Sequence, residues 1–188
     1  MAYIWELRYT HHGAWMAILG LMLVSHLARR EHASAMGFRT GNLSACLERF
    51  APVLALMGLA MVAGGILFRT TREIPIEAGV AAWAAYLPWG LFQQYALNAY
   101  FLNRFDAALS PRSSVVLTAA LFSGVHLPNW FLMMVTFAAG WCSARIYRRY
   151  RNLYFLGLAH ATLGFLLFLV CPDSITHHLT VGRGWFTH

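Results

Sequence analysis

Residues 89–104 read WGLFQQYALNAYFLNR, from Trp89 to Arg104. Apart from Gln93, Gln94 and Asn98 the stretch is apolar until Asn103 and Arg104 close it. Its length and hydrophobicity read as the end of a helix that crosses a bilayer. The three amides then lie in hydrocarbon unless other helices cover them, and burying an amide without a partner costs on the order of a few kcal/mol. Gln94 and Asn98 are four residues apart and share one helix face, while Gln93 points about 100° away. Partners are therefore expected elsewhere in the chain, and His126 and His160 are the best candidates.

The composition around this stretch agrees. Of 188 residues, 59% are hydrophobic and 11% charged, against about 25% charged in a soluble domain. The apolar runs predict spans at about 13–28, 50–68, 78–102, 113–127, 130–147 and 152–171. The first and fourth are short for a bilayer and are expected to extend by a turn. Pro88 inside the third predicts a kink or a break near Tyr86. The expected fold is an all-α integral membrane protein, a bundle of about six transmembrane helices with a kinked third helix. Such a chain leaves no room for a separate soluble module, so residues 1–188 read as one transmembrane domain.

Charge gives the orientation. All fourteen basic residues are arginine, for which a GC-rich bacterial genome is the ordinary explanation. The loops after the first, third and fifth spans hold ten arginines and three acids; the other side holds four of each. Arginine excess marks the cytoplasmic side, so both termini are expected on the non-cytoplasmic side of a bacterial inner membrane. The high basicity is read as topological, and no nucleic-acid partner is expected. The first apolar run has neither the flanks nor the cleavage site of a signal peptide. Trp5, Trp15, Trp83, Trp130 and Trp185 lie near span boundaries, as an interfacial belt would. Cys46, Cys142 and Cys171 have neither the even count nor the spacing of a disulfide framework or a zinc site.

All seven acidic residues fall outside the predicted spans. Proton relays and cation transporters usually carry a carboxylate inside the membrane, and paired-carboxylate catalysis needs two. Both classes are disfavoured, and a channel or transporter is further disfavoured by the absence of an inverted repeat. The polar groups left inside are few. Phe122 and His126 are four apart on the fourth span, and His160 and Gly164 four apart on the sixth. Gly157, Ala161 and Gly164 make a small-residue stripe that lets another helix approach closely.

In order and spacing, these residues resemble the CAAX-protease and bacteriocin-processing family (CPBP, or ABI) of intramembrane proteins. That family carries EExxxR on one helix, FxxxH on a later one and HxxxN on a third. Here Gln93-Gln94-x-x-x-Asn98 stands at the first motif, Phe122-x-x-x-His126 at the second and His160-x-x-x-Gly164 at the third. The resemblance covers about residues 78–170. It implies an intramembrane peptidase fold in which a first-motif glutamate and the FxxxH histidine activate water, and the third motif stabilises an oxyanion. Both glutamates are glutamine here, the arginine is Asn98 and the final asparagine is Gly164. Glutamine takes up no proton at a working pH, so the family mechanism does not carry over intact.

Two functions follow as expectations. The first is a divergent member that has lost glutamate-dependent proteolysis and serves as a binding scaffold, assembly factor or accessory subunit of a membrane complex. The alternative is an intramembrane hydrolase or peptidase acting on a membrane-embedded peptide or lipid-like substrate. In that alternative His126 and His160 are catalytic, and Gln93, Gln94, Asn98 and Phe122 bind substrate or ligand. The amides also have a purely structural reading, as interhelical hydrogen bonds worth about 0.6–2 kcal/mol each. No cofactor and no metal are expected, since stable divalent sites usually add a carboxylate or thiolate. The expected partners are the bilayer, other membrane proteins or a hydrophobic ligand. His11, His12, His177, His178 and His188 fall on the outer side and read as a solvated interface. His26 and His32 have no partner at a useful spacing.

Overall fold

The computed structural model describes Glu6 and residues 10–187. Among them every regular element is helical and no strand occurs. The long helices are α1 (Ala14–Ala28), α2 (Leu43–Leu67), α3 (Ile76–Gln94), α4 (Pro111–Gly124), α5 (Trp130–Tyr150) and α6 (Leu153–Val170). α3 continues without interruption as a π-helix, Tyr95–Leu102, and a last α-helical turn, Asn103–Asp106. A short α7 (Asp173–Thr176) and 3-10 turns at His177–Leu179 and Gly182–Thr187 form the tail.

Local chemistry sets the helix starts. Ser110 Oγ accepts from the Ser113 amide at 3.3 Å, with Pro111 in the first turn of α4. Asn129 Oδ1 accepts from Leu132 N at 3.1 Å and Asn152 Oδ1 from Phe155 N at 2.8 Å, capping α5 and α6. Each such cap is worth about 1 kcal/mol. Arg151 takes a left-handed conformation (φ 46°), so α5 turns into α6 within two residues, Arg151 and Asn152.

Two expectations about the elements change. α2 starts at Leu43, about two turns before the span expected from residue 50. α3 runs through Tyr86 and Pro88 without a break, and the departure from α geometry begins later, at Tyr95. That π-helical stretch lies directly after the two glutamines and contains Asn98. Such segments are rare and are frequent at functional sites.

By length and composition α2 and α6 are able to cross a bilayer, and α1 is apolar but 15 residues long. Leu56, Leu59, Ile66 and Leu67 of α2 are exposed. A contiguous apolar face of this kind is a liability in water and the natural surface in lipid.

α6 packs against both α3 and α2, α4 packs on α5, and the π-helical segment touches α4 and α5. The α3–α6 crossing is close: a Cβ on Gly157 would lie 2.8 Å from Leu91 Cα, and one on Gly90 3.0 Å from the Gly157 carbonyl oxygen. α1 enters the core through Met22 and His26, its two buried residues.

Polar clamps hold the two ends. At one end the loop before α2 is bonded to the α5–α6 corner. The Tyr147 hydroxyl donates to Met36 O at 2.8 Å, Asn152 Nδ2 to Arg39 O at 3.0 Å and to Asn42 Oδ1 at 2.8 Å, and Leu153 N to Gly37 O at 2.9 Å. At the other end Arg72 donates to Phe168 O at 2.7 Å and grips both carboxylate oxygens of Asp173. There the tail also closes over the α4–α5 hinge: Asn129 Nδ2 donates to Thr176 O at 2.8 Å, and Gly182 N to Leu127 O at 2.7 Å.

Candidate functional site

Helical spacing puts Gln94 and Asn98 on one face, and the structure joins them: Asn98 Nδ2 donates to Gln94 Oε1 at 2.7 Å. This bond fixes the orientation of the Gln94 amide. Its Nε2 then faces α6 and donates to His160 Nδ1 at 3.0 Å. With Nδ1 accepting, the proton of the neutral imidazole sits on Nε2. That nitrogen faces the Tyr86 hydroxyl at 3.5 Å, long for a hydrogen bond. Gln93 lies on the other face of α3, half-buried, beside the same Tyr86 hydroxyl.

Asn98 is fully buried and reaches a second helix, with Nδ2 3.4 Å from Ser143 Oγ of α5. Ser143 in turn donates to Gly140 O at 3.1 Å. Asn98 Oδ1 has no partner among the described residues, and neither has Thr118 Oγ1 on α4, which is also buried.

His126 stands apart from the amides. Its Nδ1 donates to the Phe122 carbonyl oxygen at 2.7 Å, which fixes the tautomer and leaves Nε2 as the acceptor. Phe122 lies between the two histidines, its ring centroid 5.2 Å from that of His126 and 5.8 Å from that of His160. Of the two histidines expected to meet the amides, His160 hydrogen-bonds Gln94 directly, whereas His126 turns back to its own helix.

Gly164 is explained by what sits over it. A Cβ there would lie 3.1 Å from Tyr86 Cε1. A side chain at this position would need the Tyr86 ring to give way, and that ring carries the hydroxyl that faces His160. Tyr86 and Ser143 are members of this polar centre that sequence reading missed; the Trp83 indole makes a separate α3–α6 bond, donating to Thr162 Oγ1 at 3.2 Å. For Ser143 a signal existed, since Gly140, Ser143, Ala144 and Tyr147 follow helical spacing and all face inward.

The centre is electrically neutral: every hydrogen-bond partner of Gln94, Asn98 and His160 is an uncharged group. Among the described residues no three His, Cys, Asp or Glu side chains gather to hold a metal ion. Of the tail histidines, His177 packs on Trp185 with centroids 4.0 Å apart, while His178 Nδ1 lies 3.2 Å from Asp173; His188 lies outside the described residues.

An all-helical chain with two helices long and apolar enough to cross a bilayer, and a buried polar centre among its helices, has the character of a membrane protein. Residues 75–166 match the family described as type II CAAX prenyl endopeptidase Rce1-like, and through them the chain belongs to the CAAX-protease (CPBP) family. The matched residues include all of Gln93, Gln94, Asn98, Phe122, His126, His160 and Gly164. No curated protein and no solved structure matches the chain.

Proposed function

We propose that this chain is a CPBP-family membrane protein that has lost glutamate-dependent proteolysis and keeps the family scaffold to bind a hydrophobic ligand or a membrane partner. It would act as a binding scaffold, assembly factor or accessory subunit. The observation that carries this reading is the Asn98–Gln94–His160 chain of hydrogen bonds. Gln94, at the place of a family glutamate, is bonded to the third-motif His160, while the FxxxH histidine His126 bonds to Phe122 O instead, and no carboxylate is among them. Buried Asn98 Oδ1 lacks a partner among the described residues, so the centre retains capacity for something polar. In this reading the six long helices are six spans, the third bent, with both termini on the non-cytoplasmic side as the arginine asymmetry requires. Reporter fusions in the 107–110 turn and after Phe186 test that orientation and should report opposite sides.

The function is tested with purified protein in mild detergent. Native mass spectrometry is expected to show a retained lipid or protein partner, and a prenylated CAAX peptide is expected to stay uncut. A chain that always runs alone and bare counts against the proposal. The hydrolase reading keeps one observation in its favour, the fixed tautomer of His126. Cleavage by the wild type that disappears in His126→Ala would establish it; equal turnover by both proteins would remove it.

A further inference from the structure

A second polar cluster lies where the C-terminal end of α1 meets the π-helical part of α3. Sequence spacing gave His26 no partner, yet it is 3% exposed and hydrogen-bonded through Nδ1 to Glu31 Oε2. Arg104 grips the same carboxylate, with Nη1 2.7 Å from Oε1 and Nη2 3.1 Å from Oε2, and Nη2 also donates to Ser25 Oγ at 3.2 Å. Burial pushes the Glu31 carboxyl up, but its bonds to Arg104 and His26 outweigh this and hold it below the ordinary carboxylate value. An ionised carboxylate only accepts, so His26 Nδ1 is the donor, and in the singly protonated ring this leaves Nε2 as a bare acceptor. A carboxylate that orients an imidazole and leaves its far nitrogen ready to accept is the arrangement of many polar sites.

Three atoms in this cluster have no hydrogen-bond partner among the described residues: His26 Nε2, the Tyr95 hydroxyl and Arg104 Nε. Tyr95 is 6% exposed, and its ring lies 5.7 Å from that of His26. On the other side Tyr100 packs edge-on to His26 at 5.5 Å and lies under the Arg104 guanidinium at 5.0 Å. A buried group left without a partner carries the full cost of its desolvation. Three in neighbouring side chains call for an occupant from outside the chain. Their character specifies it. One acceptor and two donors complement a group with one hydrogen to give and an oxygen to receive bonds. A second anion is disfavoured, because Glu31 already neutralises Arg104.

We propose that His26, Tyr95 and Arg104 hold a neutral hydroxyl, from water or from the glycerol of a lipid headgroup, between α1 and α3. The hydroxyl donates to His26 Nε2, while its oxygen receives from the Tyr95 hydroxyl and Arg104 Nε. Glu31 positions both His26 and Arg104. The site is distinct from the Gln94–His160 centre: Gln94 bonds to α6, whereas Tyr95, its neighbour, stacks on α1.

The test is histidine nitrogen NMR on the full chain in lipid nanodiscs, with His26 assigned by the loss of its signals in His26→Gln. The expected ring is singly protonated at Nδ1, with Nε2 shifted from the position of a bare acceptor to that of a hydrogen-bonded one. In Tyr95→Phe, which loses one donor to the hydroxyl, that signal should move back toward the bare position. The same shift in phosphatidylcholine and phosphatidylglycerol discs identifies water; a shift in phosphatidylglycerol alone identifies the headgroup hydroxyl. A bare Nε2 in both lipids, a doubly protonated ring, or a signal unmoved by Tyr95→Phe overturns the proposal.

Discussion

Gln94 shows how much one neutral side chain carries. It accepts from Asn98 and donates to His160, and so couples α3 to α6. Gln94→Leu keeps the bulk but strips both bonds, leaving His160 Nδ1 and one Asn98 proton without their partner. The expected loss is about 1–3 kcal/mol, read as a lower midpoint of thermal unfolding in detergent. This pairing was legible in the sequence, because i and i+4 residues on a helix must share a face and an amide in hydrocarbon must find a partner. Tyr86 as the second neighbour of His160 was not, since only the packing of α3 on α6 decides which tyrosine sits over Gly164. His26 was dismissed for a similar reason. Its carboxylate, Glu31, lies past the end of α1, where helical spacing no longer predicts neighbours. At the end of the bundle that carries the tail, the Arg72 guanidinium beside Asp173 holds its carboxyl below the ordinary value of 3.8. A lowered carboxyl stabilises the fold above its ordinary value and loses that contribution as the pH falls through its folded one. The tail should therefore stay clamped at neutral pH and open in acid below about pH 3.8. Asp173→Asn should open it at neutral pH. Proteolysis within residues 172–187 reads both, and equal resistance of wild type and variant at neutral pH would refute the clamp.

Among the elements, the α3–α6 crossing sets the geometry of the site, because it brings Gln94 within reach of His160. It depends on the absence of a side chain at Gly157, where a Cβ would meet backbone rather than a flexible side-chain tip. Gly157→Ala should part the helices and cost about 1–3 kcal/mol. The volume-neutral surface change Leu158→Ile, one residue on and exposed, should do little. Thermal unfolding of the two variants side by side makes the comparison; equal midpoints would show that the crossing has slack. The Gly157, Ala161 and Gly164 stripe announced this approach in the sequence; Ser110 and Asn129 cap the starts of α4 and α5, and α6 ends shortly before Pro172. The start of α2 was hidden, because an apolar run reports the thickness of hydrocarbon and not the length of the helix. Polar residues such as Glu48 and Arg49 extend α2 beyond that run. The π-helical stretch was hidden too: nothing in YALNAYFL distinguishes a π turn from an α turn before its neighbours are in place.

For the molecule as a whole, the corner between α5 and α6 matters beyond its own geometry. Tyr147, Asn152 and Leu153 lie inside the family-matched region, and the atoms that satisfy them, Met36 O, Arg39 O, Asn42 Oδ1 and Gly37 O, all lie before it. The segment that carries the likeness therefore lacks the means to stand alone. A fragment starting at residue 75 would expose three buried donors at one stroke, and it should be degraded when expressed by itself. Supplied with residues 1–74 as a separate chain, the same fragment should accumulate, with the two pieces co-purifying through this corner. Stable accumulation of the lone fragment would show that the first third is a passenger. Otherwise inheritance and self-sufficiency have different borders in this chain, and any transplant of the site into another protein would have to take the first 74 residues along.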